Sequence, residues 1–265
     1  MVARLRYTLP LQAQTATATE DGSAYLLLLN PTGGILGGDR LLSRIVLDPD
    51  THACLSTPSA TRVYRSLGEP SVQETWIEVG AGATLEFLPD HVIPHAESRF
   101  RQRLSVELGR GSRAILFDAF AAGRLAHGEA WAFREFDSET RVFCNGAPRY
   151  LSRTKIAPPR DAPDGVTRSG LSPNSLGIAE GFGYLASLLV LGDGIENWDV
   201  VCDAMRATLA TMPQIRAGAS LLGGGGCVAR FLTATAGDLV SATSALWAAA
   251  RRSLLALPPF DLRKY

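Results

Sequence analysis

The run FRQRLSVEL, residues 100–108, decides how the first half of the chain folds. Phe100, Gln102, Leu104, Val106 and Leu108 alternate with Arg101, Arg103, Ser105 and Glu107. A period of two is that of a strand with one buried face. On either side, LLSRIVLD (41–48), VQETWIEVG (72–80), ATLEFL (83–88) and RAILFDAF (113–120) are further strand candidates. The turn signals Asp48-Pro49-Asp50, Gly68-Glu69-Pro70, Gly80-Ala81-Gly82 and Gly109-Arg110-Gly111 divide them. Many short strands with no helix between them predict antiparallel sheets, a sandwich or a stack of β layers. No strict repeat period marks a solenoid.

The pattern changes after residue 157. Residues 158–175, PPRDAPDGVTRSGLSPNS, have the composition of a surface loop or linker. Beyond them, GYLASLLVLG reads as a buried strand and GCVARFLTA as another. Between these, Asn197 is placed to cap a helix with Val201, Met205, Thr208, Leu209 and Met212 on its apolar side, ending before Pro213. Asp238 is placed to cap a second helix, with Leu239, Val240, Thr243, Leu246, Trp247, Ala250 and Leu254 on its apolar face. Arg251 and Arg252 fall in its last third, where cations suit the helix dipole, and Pro258 and Pro259 stop it. The expected organisation is a β-rich scaffold over 1–157, the loop over 158–175, and an α/β region over 176–265 continuous with the same domain.

Composition narrows the function classes. The chain has 265 residues, 46% hydrophobic and 20% charged, with 26 basic residues balanced by 26 acidic ones. A neutral chain is a poor match for nucleic acid or an anionic membrane. It also carries little charge to oppose association, so a protein partner is expected to cover part of its apolar surface. Cys54, Cys144, Cys202 and Cys227 form no C-x-x-C pair and read as buried thiols of a cytoplasmic protein. The N-terminal MVARLRYTLPLQAQTA lacks the apolar stretch of a signal peptide, and YLLLL and YLASLLVL are too short to span a bilayer.

The motifs are sparse in chemistry. NPTGGILGGDR, residues 30–40, holds Asn30, Gly33, Gly34, Gly37, Gly38, Asp39 and Arg40. A phosphate-binding loop needs Gly-Lys-Ser or Gly-Lys-Thr after its last glycine, whereas an acid follows here. The glycines are therefore read as structural, with Asp39 accepting from loop N–H groups. LEFLPDHVIPHAE clusters Glu86, Asp90, His91, His95 and Glu97, but Pro89 and Pro94 break any helix that would align the two histidines. Asp118 and Glu129 are a pair of acids on which a β-scaffold hydrolase or sugar-modifying enzyme would draw. GRLAHGE, with Gly123, Arg124 and Gly128, reads as a turn with a charged rim, and LLGGGG at 221–226 as a turn.

Taken in order, NPTGGILGGDRL, TPSATRVYRS, GATLEFLPDHVIP and FDAFAAGRLAHGE resemble the UreD/UreH family of urease accessory proteins, over nearly the whole chain to ALWAAARRSLLALPP. Phe87 stands where that family usually has Trp, and the PFDLRKY tail departs from its usual ending. The resemblance implies a helically wound stack of β-strands with a smaller C-terminal α/β part carrying two helices. It implies a non-catalytic role: contact with UreF, with UreG through the joint complex, and with the urease apoprotein, and guidance of transient nickel with no tightly bound cofactor. Glu86, Asp90, His91, Asp118 and Glu129, lying in the family-like motifs, are the candidate lining residues of a nickel passage.

Overall fold

The computed structural model describes residues 2–158 and 172–262, so most of the 158–175 loop lies outside the described residues. In chain order the strands are β1 (Gln12–Ala13), β2 (Thr17–Ala18), β3 (Ala24–Leu29), β4 (Arg40–Leu47), β5 (His52–Ser56), β6 (Thr61–Val63), β7 (Ser71–Val79), β8 (Thr84–Leu88), β9 (Val92–Pro94), β10 (Arg99–Leu108), β11 (Arg113–Ala121), β12 (Glu135–Cys144), β13 (Ala147–Ile156), β14 (Tyr184–Gly192), β15 (Arg216–Leu221) and β16 (Cys227–Thr233). Two helices accompany the later strands, α1 (Trp198–Ala210) and α2 (Ala236–Ala250), and α2 runs on into one π-helical turn, Arg251–Leu255.

From β3 to β12 the chain winds back and forth between two sheets. The first sheet carries β3, β5, β8 and β11 side by side, and the second carries β4, β7, β10 and β12. Within each sheet these neighbours are parallel. The helically wound stack of β-strands that the family resemblance implies is present, whereas the antiparallel sheets also expected from strands without intervening helices are not what these neighbours form. Parallel strands need a long crossover, and here a strand of the opposite sheet serves as that crossover in place of a helix. The pairings Leu41–Gln73, Gln73–Gln102 and Gln102–Ser138 give coils of 32, 29 and 36 residues, which is why no constant period shows in the sequence.

The two ends of the stack differ. At one end each coil turns through four residues: Asp48–Thr51, Gly80–Ala83 and Gly109–Ser112, each closed by a hydrogen bond from the fourth N–H to the first carbonyl. The third residue of each turn, Asp50, Gly82 or Gly111, has φ between 56° and 69°. The turns also stack on one another, through Asp50 N–H to the Ala81 carbonyl and Gly82 N–H to the Arg110 carbonyl. A Cβ on Gly109 would stand 2.8 Å from the Val79 carbonyl oxygen, so that position admits no side chain. At the other end the crossovers are long: 30–39, 57–70, 89–98 and 122–134.

β14, β16 and β15 extend the first sheet beyond β11 as antiparallel strands, and β13 does the same for the second sheet beyond β12. The region after the loop thus completes the same sheet. One face of the first sheet packs on the second through Leu55, Leu85, Leu116 and Leu189 against Ile77, Leu104, Val106 and Val142. Its other face packs on the helices through Ile115, Phe117, Leu188 and Phe231 against Val201, Met205, Leu246 and Trp247. The FRQRLSVEL alternation is realised as read: Phe100, Leu104, Val106 and Leu108 are buried. All four cysteines are buried, and none is in a disulfide.

Three helix details depart from the sequence reading. Asn197 stands at the N-cap position of α1 but makes no side-chain capping bond. α2 starts at Thr235, whose hydroxyl accepts from Asp238 N–H at 3.1 Å while donating to the Asp238 carboxylate, so Asp238 completes the cap from within the helix. Val240, expected on the apolar face, is exposed, and Ala242 and Ala249 are buried instead.

Gly109→Ala should lower unfolding free energy by about 1–3 kcal/mol, because backbone blocks its Cβ on two sides. Gly68→Ala, with open space around it, should stay within about 0.5 kcal/mol of the parent in urea denaturation.

Candidate functional site

The stack places the chemistry-bearing side chains in three locations. The first lies between the first sheet and the helices. Residues alternate along β8, so Glu86 points to the helix side while Leu85 and Phe87 point to the second sheet. Glu86 is fully buried. Its Oε1 meets His52 Nε2 at 2.7 Å and accepts from Arg251 at 2.6 Å, and its Oε2 accepts from Trp247 Nε1 at 2.5 Å. Arg251, also fully buried, reaches Asp21 with its other terminal nitrogen. Its guanidinium lies 5.3 Å from the Trp247 ring centroid and 4.8 Å from that of Phe260, a favourable setting for a delocalised cation. Burial alone would raise the Asp21 pKa; hydrogen bonds from Thr19 and Ser23 and the Arg251 charge outweigh it and hold the carboxyl well below its usual range.

Arg251 is thus a buried cation paired with carboxylates rather than a solvated charge at the helix end. It sits four residues after Trp247, on the same stripe as the apolar residues of α2, and that spacing is the signal for an inward cation. Asp21 and His52 carry no local motif, and nothing in the sequence marks the Trp247 indole as a partner of Glu86.

Asp90 and His91 follow β8 on this same side. Asp90 N–H donates to Thr57 Oγ1 at 2.8 Å, and the His91 ring stands edge-on to Tyr184 at 5.4 Å. Burial raises the Tyr25 pKa, and Cys54, Asp90 and Asp261 add to the rise.

The second location lies between the two sheets. Asp118 on β11 points away from the helices, between two dry clusters: one around Leu104 and Leu116, the other around Phe100, Phe120 and Phe136. Its Oδ1 accepts from Gln102 at 3.4 Å and its Oδ2 from Ser138 at 3.3 Å. Ser138, Thr140, Ser152, Thr154 and Ser187 join it around a gap of about 20 Å³, room for about one water. Asp118 is half-buried between the sheets, on the wall of this gap. Burial pushes its pKa up against the two hydrogen bonds.

The third location is the long-loop end, where four of the sequence motifs converge. Asn30 accepts from the Thr32 backbone and hydroxyl and donates to the Gly34 carbonyl. Gly33 and Gly38 have φ of 83° and 88°, and a Cβ on Gly34 would stand 2.5 Å from the Tyr64 ring. Asp39 accepts from Leu36 N–H at 2.8 Å, as expected. Arg40 opens β4 and is exposed. Gly123 leaves no room for a side chain beside the Glu129 carbonyl, Gly128 closes the turn in the left-handed region, and Arg124 pairs with Glu129. His95 packs edge-on to Tyr64 at 4.9 Å. The glycine-rich 30–40 loop is a platform braced on its neighbour rather than a phosphate cradle.

The five candidate lining residues therefore do not form one cluster. Glu86, Asp90 and His91 lie on the helix side, Asp118 lies between the sheets, and Glu129 lies at the loop end. Asp118 and Glu129, the pair a hydrolase would need, share no bonding partner. Among the described residues, no group of three or more His, Cys, Asp or Glu side chains is arranged to hold a metal ion. No helix among them is long and apolar enough to cross a membrane.

Glu86→Ala should cost about 3–5 kcal/mol, because Arg251 is left buried with half its charge compensation gone. A Glu86→Leu/Arg251→Met variant should recover most of that loss in the same urea titration. At low pH the parent should weaken further. The depressed Asp21 carboxyl contributes stability in full above the unfolded value near 3.9 and loses it as pH falls toward the lower folded value. Asp21→Asn should flatten this limb in acid denaturation.

The family model described as UreD urease accessory protein matches residues 1–264. The urease accessory protein UreD of Mycolicibacterium gilvum is 33% identical over 251 residues, covering 94% of this chain and 85% of that protein. The UreD of Deinococcus radiodurans is 34% identical over 247 residues, covering 92% and 82%. That of Herpetosiphon aurantiacus is 30% identical over 261 residues, covering 96% and 88%. Match length and identity place the chain in the UreD family of urease accessory proteins, whose members are maturation factors rather than enzymes.

Proposed function

We propose that the protein serves urease maturation as a non-catalytic scaffold, joining UreF and UreG to the urease apoprotein, and that nickel crosses it between the two sheets. The observation carrying the passage is the polar layer at Asp118, set between two apolar clusters. One carboxyl and a ring of hydroxyls suit an ion in transit. Nickel binds tightly to sites rich in imidazole and thiolate, and a conduit must release what it admits. Nickel is cargo here, with no resident cofactor. The ion exchanges part of its water shell for Asp118 and the hydroxyls. Because burial favours the protonated carboxyl, reprotonation helps to release the ion. Asp90 and His91, on the helix side, and Glu129, at the loop end, stand apart from this polar layer, and Glu86 is held by its three partners.

Asp118→Asn keeps the shape and both neighbours. The raised pKa means that ionising Asp118 costs stability as pH rises from the unfolded value through the folded one. The asparagine variant should therefore be at least as stable as the parent at pH 7. In cells at limiting nickel it should lower urease activation several-fold while UreF still co-purifies. Parental activation by a variant that folds and binds UreF would refute the passage.

A further inference from the structure

The long-loop end has an unbalanced surface that the passage does not use. The 34–37 backbone lies directly on residues 62–66: Ile35 N–H donates to the Arg62 carbonyl at 2.8 Å, Tyr64 N–H to the Ile35 carbonyl at 2.8 Å, and a Cβ on Gly37 would stand 2.8 Å from Ser66 Cα. This double loop displays Leu36 and Leu67 at 59% and 88% exposure. Both leucines sit on braced backbone, since Asp39 caps the Leu36 turn and Ser66 is tied to Arg99 and Glu97. Apolar side chains held out on a rigid support are ready to be covered at little entropic cost.

The charge around them is lopsided. Arg99 and Arg101 pair with Glu135, Arg124 with Glu129, and Arg134 with Glu97. Arg40, Arg62 and Arg65, all exposed, have no ion-pair partner among the described residues, and the two loops set against these three arginines only the acids Asp39, bonded to Leu36 N–H, and Glu69. Burial lowers the His95 pKa and Arg124, Arg62 and His127 lower it further against Glu129, as a positive local field would. The surplus stands out in a chain whose total charge is zero. Arginine is among the residues enriched in protein-binding hot spots, and the exposed leucines beside it give a partner apolar surface to cover.

We infer that this end is a docking face for an acidic protein surface with an apolar centre, gripped by Arg62 and Arg65 around Leu36 and Leu67. The inference rests on the reading that the protein works inside a maturation complex, and assigns one of its contacts to this end of the stack. A nucleic acid fits less well, since its charge would leave the leucines uncovered and the chain as a whole is neutral. A second copy would have to bring its own acidic face.

The test uses the full-length protein with purified UreF and urease apoprotein as separate probes. Arg62→Glu/Arg65→Glu changes only exposed side chains and should keep the parent melting temperature. It should weaken binding to one of the two probes at least tenfold and leave the other unchanged. Parent affinity for that probe should fall as salt rises, and the variant's should not. Leu36→Asp should weaken the same probe. Arg206→Glu, on the exposed side of α1, should weaken neither. Parental binding of both probes by the double variant overturns the docking face while leaving the scaffold reading intact. Failure of the parent protein to bind either probe overturns the scaffold reading and the docking face with it. A parent dimer abolished by the double variant, or RNA binding lost in it, overturns the acidic partner in favour of those occupants.

Discussion

The first sheet is covered on both faces, and the rest of the structure follows from that constraint. Little solvent reaches the two covered faces, so each polar side chain that points inward needs partners built into the fold. Glu86 meets this demand with His52, Trp247 and Arg251, and Arg251 in turn reaches Asp21. One buried arginine thereby ties the turn before β3, the middle of β8 and the end of α2. Such a pair adds little net stability over an apolar substitute. Its geometry admits one seating of the helix layer on the coils, and in this protein that specificity is the better account of its presence. On the opposite face of the same sheet, Asp118 meets the demand more loosely, with two long hydrogen bonds and a gap. One face holds its charge in a locked arrangement. The other leaves room for exchange.

Legibility in the sequence tracks the range of the interactions. The strand alternation at 100–108, the turn signals at 48, 80 and 109, and the apolar stripe of α1 are set by neighbours a few residues apart, and the structure bears them out. The Asp39 side chain bonding back to Leu36 is likewise local. What the sequence hides depends on contacts across the stack. The parallel order of the strands is hidden because an ordinary parallel crossover is a helix, and here a strand replaces it. The coil repeat is hidden because the long crossovers differ in length, although the short turns recur. Glu86 stands out by residue type, yet its partners are 34, 161 and 165 residues distant. Asp118 is one acid among many in the sequence, and only the folded sheets show that Gln102 and Ser138 face it.

Family membership and geometry bear on different questions. Membership says which process the chain serves. Geometry sorts the polar groups into a clasp on the helix side, a hydroxyl-lined layer between the sheets, and a cationic and apolar rim at the loop end. A shared set of five ligands is not what the fold assembles.

The unequal ends of the stack set where this architecture tolerates change. At the short-turn end, each bend fits under the next with backbone against backbone, so an added residue there would rotate a following strand and turn its inward side chains outward. At the long-loop end, crossovers of different length already coexist above identical strand pairing. New sequence can enter at that rim without disturbing the layers beneath, so the surface there is free to drift while the wound body stays as it is.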